Sequence, residues 1–117
     1  MTTSSGGNRK SRGNKLRDAQ LDELIELATV DAYDESEQMV GFHSMLDEHL
    51  DLPFSTEVLG VKVAVEQVDI SDDNHIVAIC RRNGSSQRMP ILDLPLPTTL
   101  PRGAEWIDAY RRWVRGR

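Results

Sequence analysis

Asp47, Glu48 and Asp51 place three carboxylates in and just beyond what reads as the last turn of a helix. There the macrodipole is negative, and Lys or Arg would be the stabilising choice. A hard divalent cation would compensate such a conflict, and calcium accepts roughly six to eight oxygens from carboxylates, carbonyls and water. A second concentration of short oxygen side chains is Asp69-Ile70-Ser71-Asp72-Asp73-Asn74. Asp69, Ser71 and Asp73 repeat the first three ligand positions of an EF-hand. Asn74, however, stands where the glycine of that loop belongs, Cys80 where its bidentate glutamate belongs, and the flanks read as strands. An EF-hand is therefore excluded, while an irregular oxygen site is not; a plain polar turn is the simpler account of this loop. Asp31 and Asp34, in the turn before the helix, are further candidates to join the Asp47–Asp51 group. Asp34, Glu35 and Glu37 also have a plainer role, because carboxylates at a helix start satisfy its free N–H groups and its positive end.

Other chemistry has less to stand on. No phosphate-cradling glycine loop follows a strand, and no paired Cys and His spacing suggests zinc. His43, His49 and His75 are candidate bases, but nothing in the spacing gathers them, and Cys80 lies in an apolar run where it reads as a small buried residue. His43 and Asp47 are four apart on one helix, yet two ligands do not make a site. The expectation is a protein that is not an enzyme.

The net charge of −5 conceals a segregation. Residues 1–17 carry five bases and no acid, whereas residues 18–51 carry eleven acids and no Lys or Arg. Residues 52–101 are close to balanced, and residues 102–117 hold five arginines against two acids. An acidic domain of this kind repels a phosphate backbone, which disfavours a nucleic-acid partner. It suits either a cation or, as the alternative, a metal-free interaction module whose acidic face docks a basic protein. No protein partner is identified by the sequence itself. Within the first helix Asp18, Asp22 and Glu26 fall four apart and read as a solvated face. The lone Cys80 suits a reducing compartment, and no apolar run has the length of a signal peptide core or a membrane span. The expected location is the cytoplasm.

The elements that position these residues are legible from periodicity. Residues 1–15 hold almost no apolar side chain and read as a disordered basic tail, leaving residues 16–115 as one domain. Leu21, Leu24, Ile25 and Ala28 mark a helix from about Leu16 to Ala32, and Met39, Phe42, Leu46 and Leu50 mark a second from about Glu35 to Leu50. Asp34 and Glu37 have the spacing of a capping box, and Pro53 bars continuation. Val61, Val63 and Val65 alternate as a strand whose register slips after Glu66, suggesting a bulge. Ile76 to Arg82 and Arg88 to Leu94 are further apolar runs joined through Asn83-Gly84, a hairpin signal, and Pro90 assigns the latter to an edge. Trp106, Ile107, Tyr110, Trp113 and Val114 form the apolar face of a last helix stopped by Gly116. The expected class is α+β: two N-terminal helices, a small antiparallel sheet of three or four strands, and a C-terminal helix.

Several stretches taken together carry a resemblance. Ala32-Tyr33-Asp34-Glu35-Ser36-Glu37-Gln38 is followed by Gly41-Phe42, then by Leu50-Asp51-Leu52-Pro53-Phe54 and by Gly60 opening a strand. Cys80-Arg81-Arg82, Leu92-Asp93-Leu94-Pro95 and Glu105-Trp106-Ile107-Asp108-Ala109-Tyr110-Arg111-Arg112-Trp113 complete the order. From about Leu24 to Trp113 the chain resembles the small calcium-binding proteins typified by the cyanobacterial calcium buffer linked to heterocyst differentiation. The resemblance implies a cytosolic protein that binds the calcium ion without EF-hands, through surface carboxylates, and acts as buffer or sensor. Asp34, Glu35 and Glu37, and the Asp47–Asp51 group, match stretches where acids recur in that family. The Asp69–Asp73 loop matches none of its motifs and rests on local chemistry alone.

Overall fold

The computed structural model describes residues 17–116, so the expectation for the basic tail lies outside the described residues. The first helix, α1, spans residues 17–29. It stops short of Ala32 because Asp31 adopts a left-handed backbone, φ 63°, which no helix can continue through. The second helix, α2, is Glu35–His49. Its start is fixed by side-chain chemistry: Asp34 accepts from the Glu37 N–H at 2.9 Å, and Glu37 reaches back to accept from the Tyr33 N–H at 2.9 Å. The expected capping box is present, shifted by one residue in its return bond.

Four strands follow, β1 (Phe54–Val58), β2 (Val61–Ile70), β3 (Ile76–Arg82) and β4 (Ser85–Pro90), paired antiparallel in chain order. Leu59 and Gly60, both at positive φ, turn β1 into β2. The register of β2 against β3 shifts between Val65 and Gln67, where the alternation slips in the sequence. Asn83 and Gly84 form the β3–β4 turn at φ 49° and 81°. That two-residue turn pairs Ser85 directly with Arg82, so β4 begins earlier than its apolar residues suggest. Beyond Pro90, the apolar Ile91 to Leu94 segment leaves the edge as a short 3₁₀ turn, Ile91–Asp93, and buries Ile91 and Leu94 in the core. The last helix, α3, is Glu105–Gly116 and includes Gly116 as its final residue. The described residues thus form an α+β arrangement of three α-helices and a four-stranded antiparallel sheet. No helix among the described residues is long and apolar enough to cross a membrane.

The core forms where α2 and α3 meet the sheet face presented by Val63, Val65, Val68, Ile76, Ala78 and Cys80. Met39, Phe42 and Leu46 come from α2 and Trp106, Ile107 and Tyr110 from α3, with Phe42 and Tyr110 almost wholly enclosed. The Ile76 N–H donates to the Tyr110 hydroxyl at 3.1 Å, so a buried phenol is satisfied by the first residue of β3. Where α1 crosses α2, a Cβ added at Gly41 would overlap the Ala28 carbonyl oxygen and lie 3.0 Å from its carbon. Gly41→Ala gains about 1 kcal/mol of helix propensity but loses more to backbone overlap. A net destabilisation of about 1–2 kcal/mol is expected by urea titration; an unchanged or raised midpoint would show that the crossing opens freely.

Candidate metal site

Asp47 and Glu48 lie in the last turn of α2, and Asp51 follows two residues beyond its end. The helix end is held from outside. The Asp51 N–H donates to the Arg102 carbonyl at 2.8 Å, and the Leu50 N–H closes the last turn onto Leu46 at 3.0 Å. Gly103 sits against the His49 carbonyl so tightly that a Cβ would come within 2.5 Å of its carbon. His49 stacks on Trp106, centroids 5.3 Å apart and planes 9° from parallel, with Nε2 3.5 Å from the Glu48 carboxylate. Among the described residues, the Lys or Arg that pairs with the group is Arg102, itself mostly exposed, at 3.9 Å from Asp51, and Asp47 forms no ion pair. Among the described residues, three solvated carboxylates therefore stand at the negative end of a helix with Arg102 as a loose counterion.

Asp31 and Asp34 do not join them. From Asp34 at its start to Asp47 near its finish, α2 interposes about 20 Å of helix. One oxygen of Asp34 is committed to the cap, and Asp31 makes the turn between the helices. The expected pooling of these two groups into one patch is corrected by helix length alone.

The Asp69–Asp73 segment is the end of β2 and its turn into β3, and its carboxylates serve different partners. Asp69 accepts from the Ile70 N–H at 2.8 Å and from Arg88 of β4 at 3.1 Å. The first of these bonds, then the second, hold its carboxyl below the usual range. Asp73 accepts from the Ser71 hydroxyl at 2.5 Å, which with its own N–H lowers its pKa. The Ser71 N–H donates to the His75 carbonyl at 2.8 Å, and Asn74 takes φ 64° to close the turn. Strand and turn contacts thus engage Asp69, Ser71 and Asp73 of the loop whose spacing suggested a site.

His43 is engaged as well, since its Nε2 lies 3.0 Å from the Val68 carbonyl oxygen of β2, so its spacing to Asp47 has a packing explanation. Cys80 is buried, and burial pushes its thiol pKa up. The acidic stripe on α1 stays largely solvated, as expected, but two of its three carboxylates also pair across to α3, while Glu26 makes no ion pair among the described residues. Arg112 of α3 binds Asp22 at 2.8 Å and Asp18 at 3.3 Å, and Arg17 pairs with Asp108. The Arg112 hydrogen bond lowers the pKa of Asp22 and raises that of Arg112 in return. The only sequence signal for this clamp is the excess of arginines after residue 101.

Among the described residues, no three His, Cys, Asp or Glu side chains converge into a metal cage. As a donor set, the α2 end fits a hard cation: its oxygens are anionic, solvated and set in a negative field, and they are joined by rotatable side chains. No curated protein and no solved structure shows a significant match to the chain. A family model described as calcium binding matches residues 23–114, a span that contains every candidate carboxylate. The chain therefore belongs to the CcbP family of calcium-binding proteins, and its ligand is the calcium ion.

Proposed function

We propose that the protein is a calcium buffer of the cell interior, that it holds the ion at the C-terminal end of α2 through Asp47, Glu48 and Asp51, and that it is not an enzyme. The observation that supports this reading is a contrast of roles. Asp18 and Asp22 are tied to Arg112, Asp34 to the cap, Asp69 to Arg88 and Asp73 to Ser71. Among the described residues Asp47 has no ion pair, and Glu48 and Asp51 face only the neighbouring His49 at 3.5 Å and the mostly exposed Arg102 at 3.9 Å. An ion arriving there relieves their mutual repulsion and the clash with the macrodipole, and Arg102 is free to swing away.

Such a site is neither an EF-hand nor a preformed cage. Gathering three mobile carboxylates costs side-chain entropy, so the affinity falls in the range of roughly 10⁻⁶ to 10⁻³ M. Binding requires rotation of exposed side chains and leaves the core as it is, which is the behaviour of a buffer rather than a sensor. Magnesium, which needs a compact octahedral site, competes poorly. His43 and Cys80, the groups with the most catalytic potential, are both engaged in the interior. A single free cysteine is compatible with a reducing cytoplasm.

Isothermal titration of chelator-treated protein with calcium, with magnesium as control, tests this reading. Asp47→Asn/Asp51→Asn is expected to weaken calcium binding at least about ten-fold, or about 1.4 kcal/mol. Asp69→Asn/Asp73→Asn is expected to leave the affinity within about two-fold and to lower thermal stability instead. No saturable heat at millimolar calcium, or a loss confined to the second pair, would overturn the assignment.

A further inference from the structure

We propose that the α1–α2 hairpin is a docking surface for a basic amphipathic segment of a partner protein. Six large hydrophobic residues are exposed among the described residues, and four of them, Leu27, Val30, Tyr33 and Val40, fall within one stretch of the hairpin. Their exposures are 55, 67, 90 and 54 %. Single exposed apolar residues are ordinary, but such a concentration is not. Leu27 and Val40 are the sequence neighbours of Ala28 and Gly41, the point at which α1 and α2 touch, so they flank one crossing. Val30 and Tyr33 belong to the connection that closes it. The core does not use these side chains, because α1 buries Leu21 and Ala28, and α2 buries Met39, Phe42 and Leu46.

The rim determines which occupant fits. Glu23, Glu26, Asp31, Asp34 and Glu37 surround the apolar residues in sequence, and residues 18–51 contain no Lys or Arg. A partner needs apolar anchors at helical spacing to cover Leu27, Val30, Tyr33 and Val40, with cations beside them to answer the carboxylates. A second copy of this chain would bring two acidic rims together, which Coulomb repulsion opposes. The basic run of this chain, from Thr2 to Asn14, matches the charge but holds no apolar side chain, so it cannot cover the patch. A basic amphipathic helix from another protein meets both requirements. The Asp47–Asp51 carboxylates lie at the far end of α2 from Tyr33 and Asp34, so this surface and the calcium site can fail independently.

The test uses the full chain and a fluorescent peptide of about 18 residues built from Leu and Lys at amphipathic helical spacing, with a scrambled peptide of identical composition as control. Anisotropy at about 0.15 M salt, where long-range attraction is screened, is expected to show at least about ten-fold tighter binding of the amphipathic peptide. Leu27→Ser/Val40→Ser, both at exposed positions, is expected to lose that preference, with circular dichroism and calcium titration unchanged. Equal binding of both peptides, or full retention by the double variant, would overturn the proposal. So would a concentration-dependent dimer in sedimentation that the same double variant abolishes, because the surface would then belong to a second copy.

Discussion

Gly103→Ala is expected to destabilise the fold by about 3–5 kcal/mol, although the residue lies in a connection and carries no side chain. Two costs add. Gly103 has φ 89°, a conformation that a Cβ strains by about 1–3 kcal/mol. The added Cβ would also fall 2.5 Å from the His49 carbonyl carbon and 2.7 Å from the Leu50 Cα. Those are backbone atoms at a helix end, unable to rotate aside, so the 102–104 segment must move away. Doing so breaks the bond from the Asp51 N–H to the Arg102 carbonyl. Urea denaturation measures the loss, and calcium titration of the folded fraction should show weakened binding, because Asp51 is then no longer held beside the helix end. A loss under about 1 kcal/mol would mean that the connection yields without resistance.

Phe42→Ala is expected to cost about 3–5 kcal/mol. The ring is completely buried and meets Tyr110 at 5.6 Å and Trp113 at 5.0 Å between centroids. Tyr110 in turn receives the Ile76 N–H. The substitution therefore opens a cavity where α2, α3 and the start of β3 are joined. Denaturant titration followed by tryptophan fluorescence should show the lowered midpoint. The near-ultraviolet dichroism of Trp113 should weaken as well, since its packing partner is gone. Little change in either signal would show that neighbouring side chains collapse into the space.

These two positions differ in how far the sequence announces them. Phe42 stands at helical spacing from Met39 and Leu46, and its burial follows from that period. Gly103, in a proline-rich connection, looks like any loop glycine until the α2 end is folded against it. The capping role of Asp34, the β2 bulge after Val65, the Asn83-Gly84 turn and the edge position of Pro90 were all legible, because each rests on local sterics or hydrogen bonding within a few residues. The β1–β2 turn was harder to read, since Leu59-Gly60 lacks the usual Asn or Asp before its glycine.

The candidate carboxylates divide along the same line. Composition alone revealed an excess of acid between residues 18 and 51, and the order of motifs from Leu24 to Trp113 pointed to the calcium-binding family that the chain belongs to. Which acids have partners distant in sequence was decided only by tertiary structure. Asp22 and Arg112 are 90 positions apart, and Asp69 meets Arg88 only because β3 lies between their strands. Nothing local couples such residues; the packing of α3 on α1 and the pairing of the sheet bring them together. The length of α2 likewise separates Asp34 from Asp47, which the sequence places in a single acidic run. Secondary structure and family follow from short-range chemistry and the order of motifs, so the sequence determined them, whereas the pairing of charges is a property of the folded surface, and only the fold ties Asp22 to Arg112 and Asp69 to Arg88 while leaving Asp47 without an ion pair among the described residues.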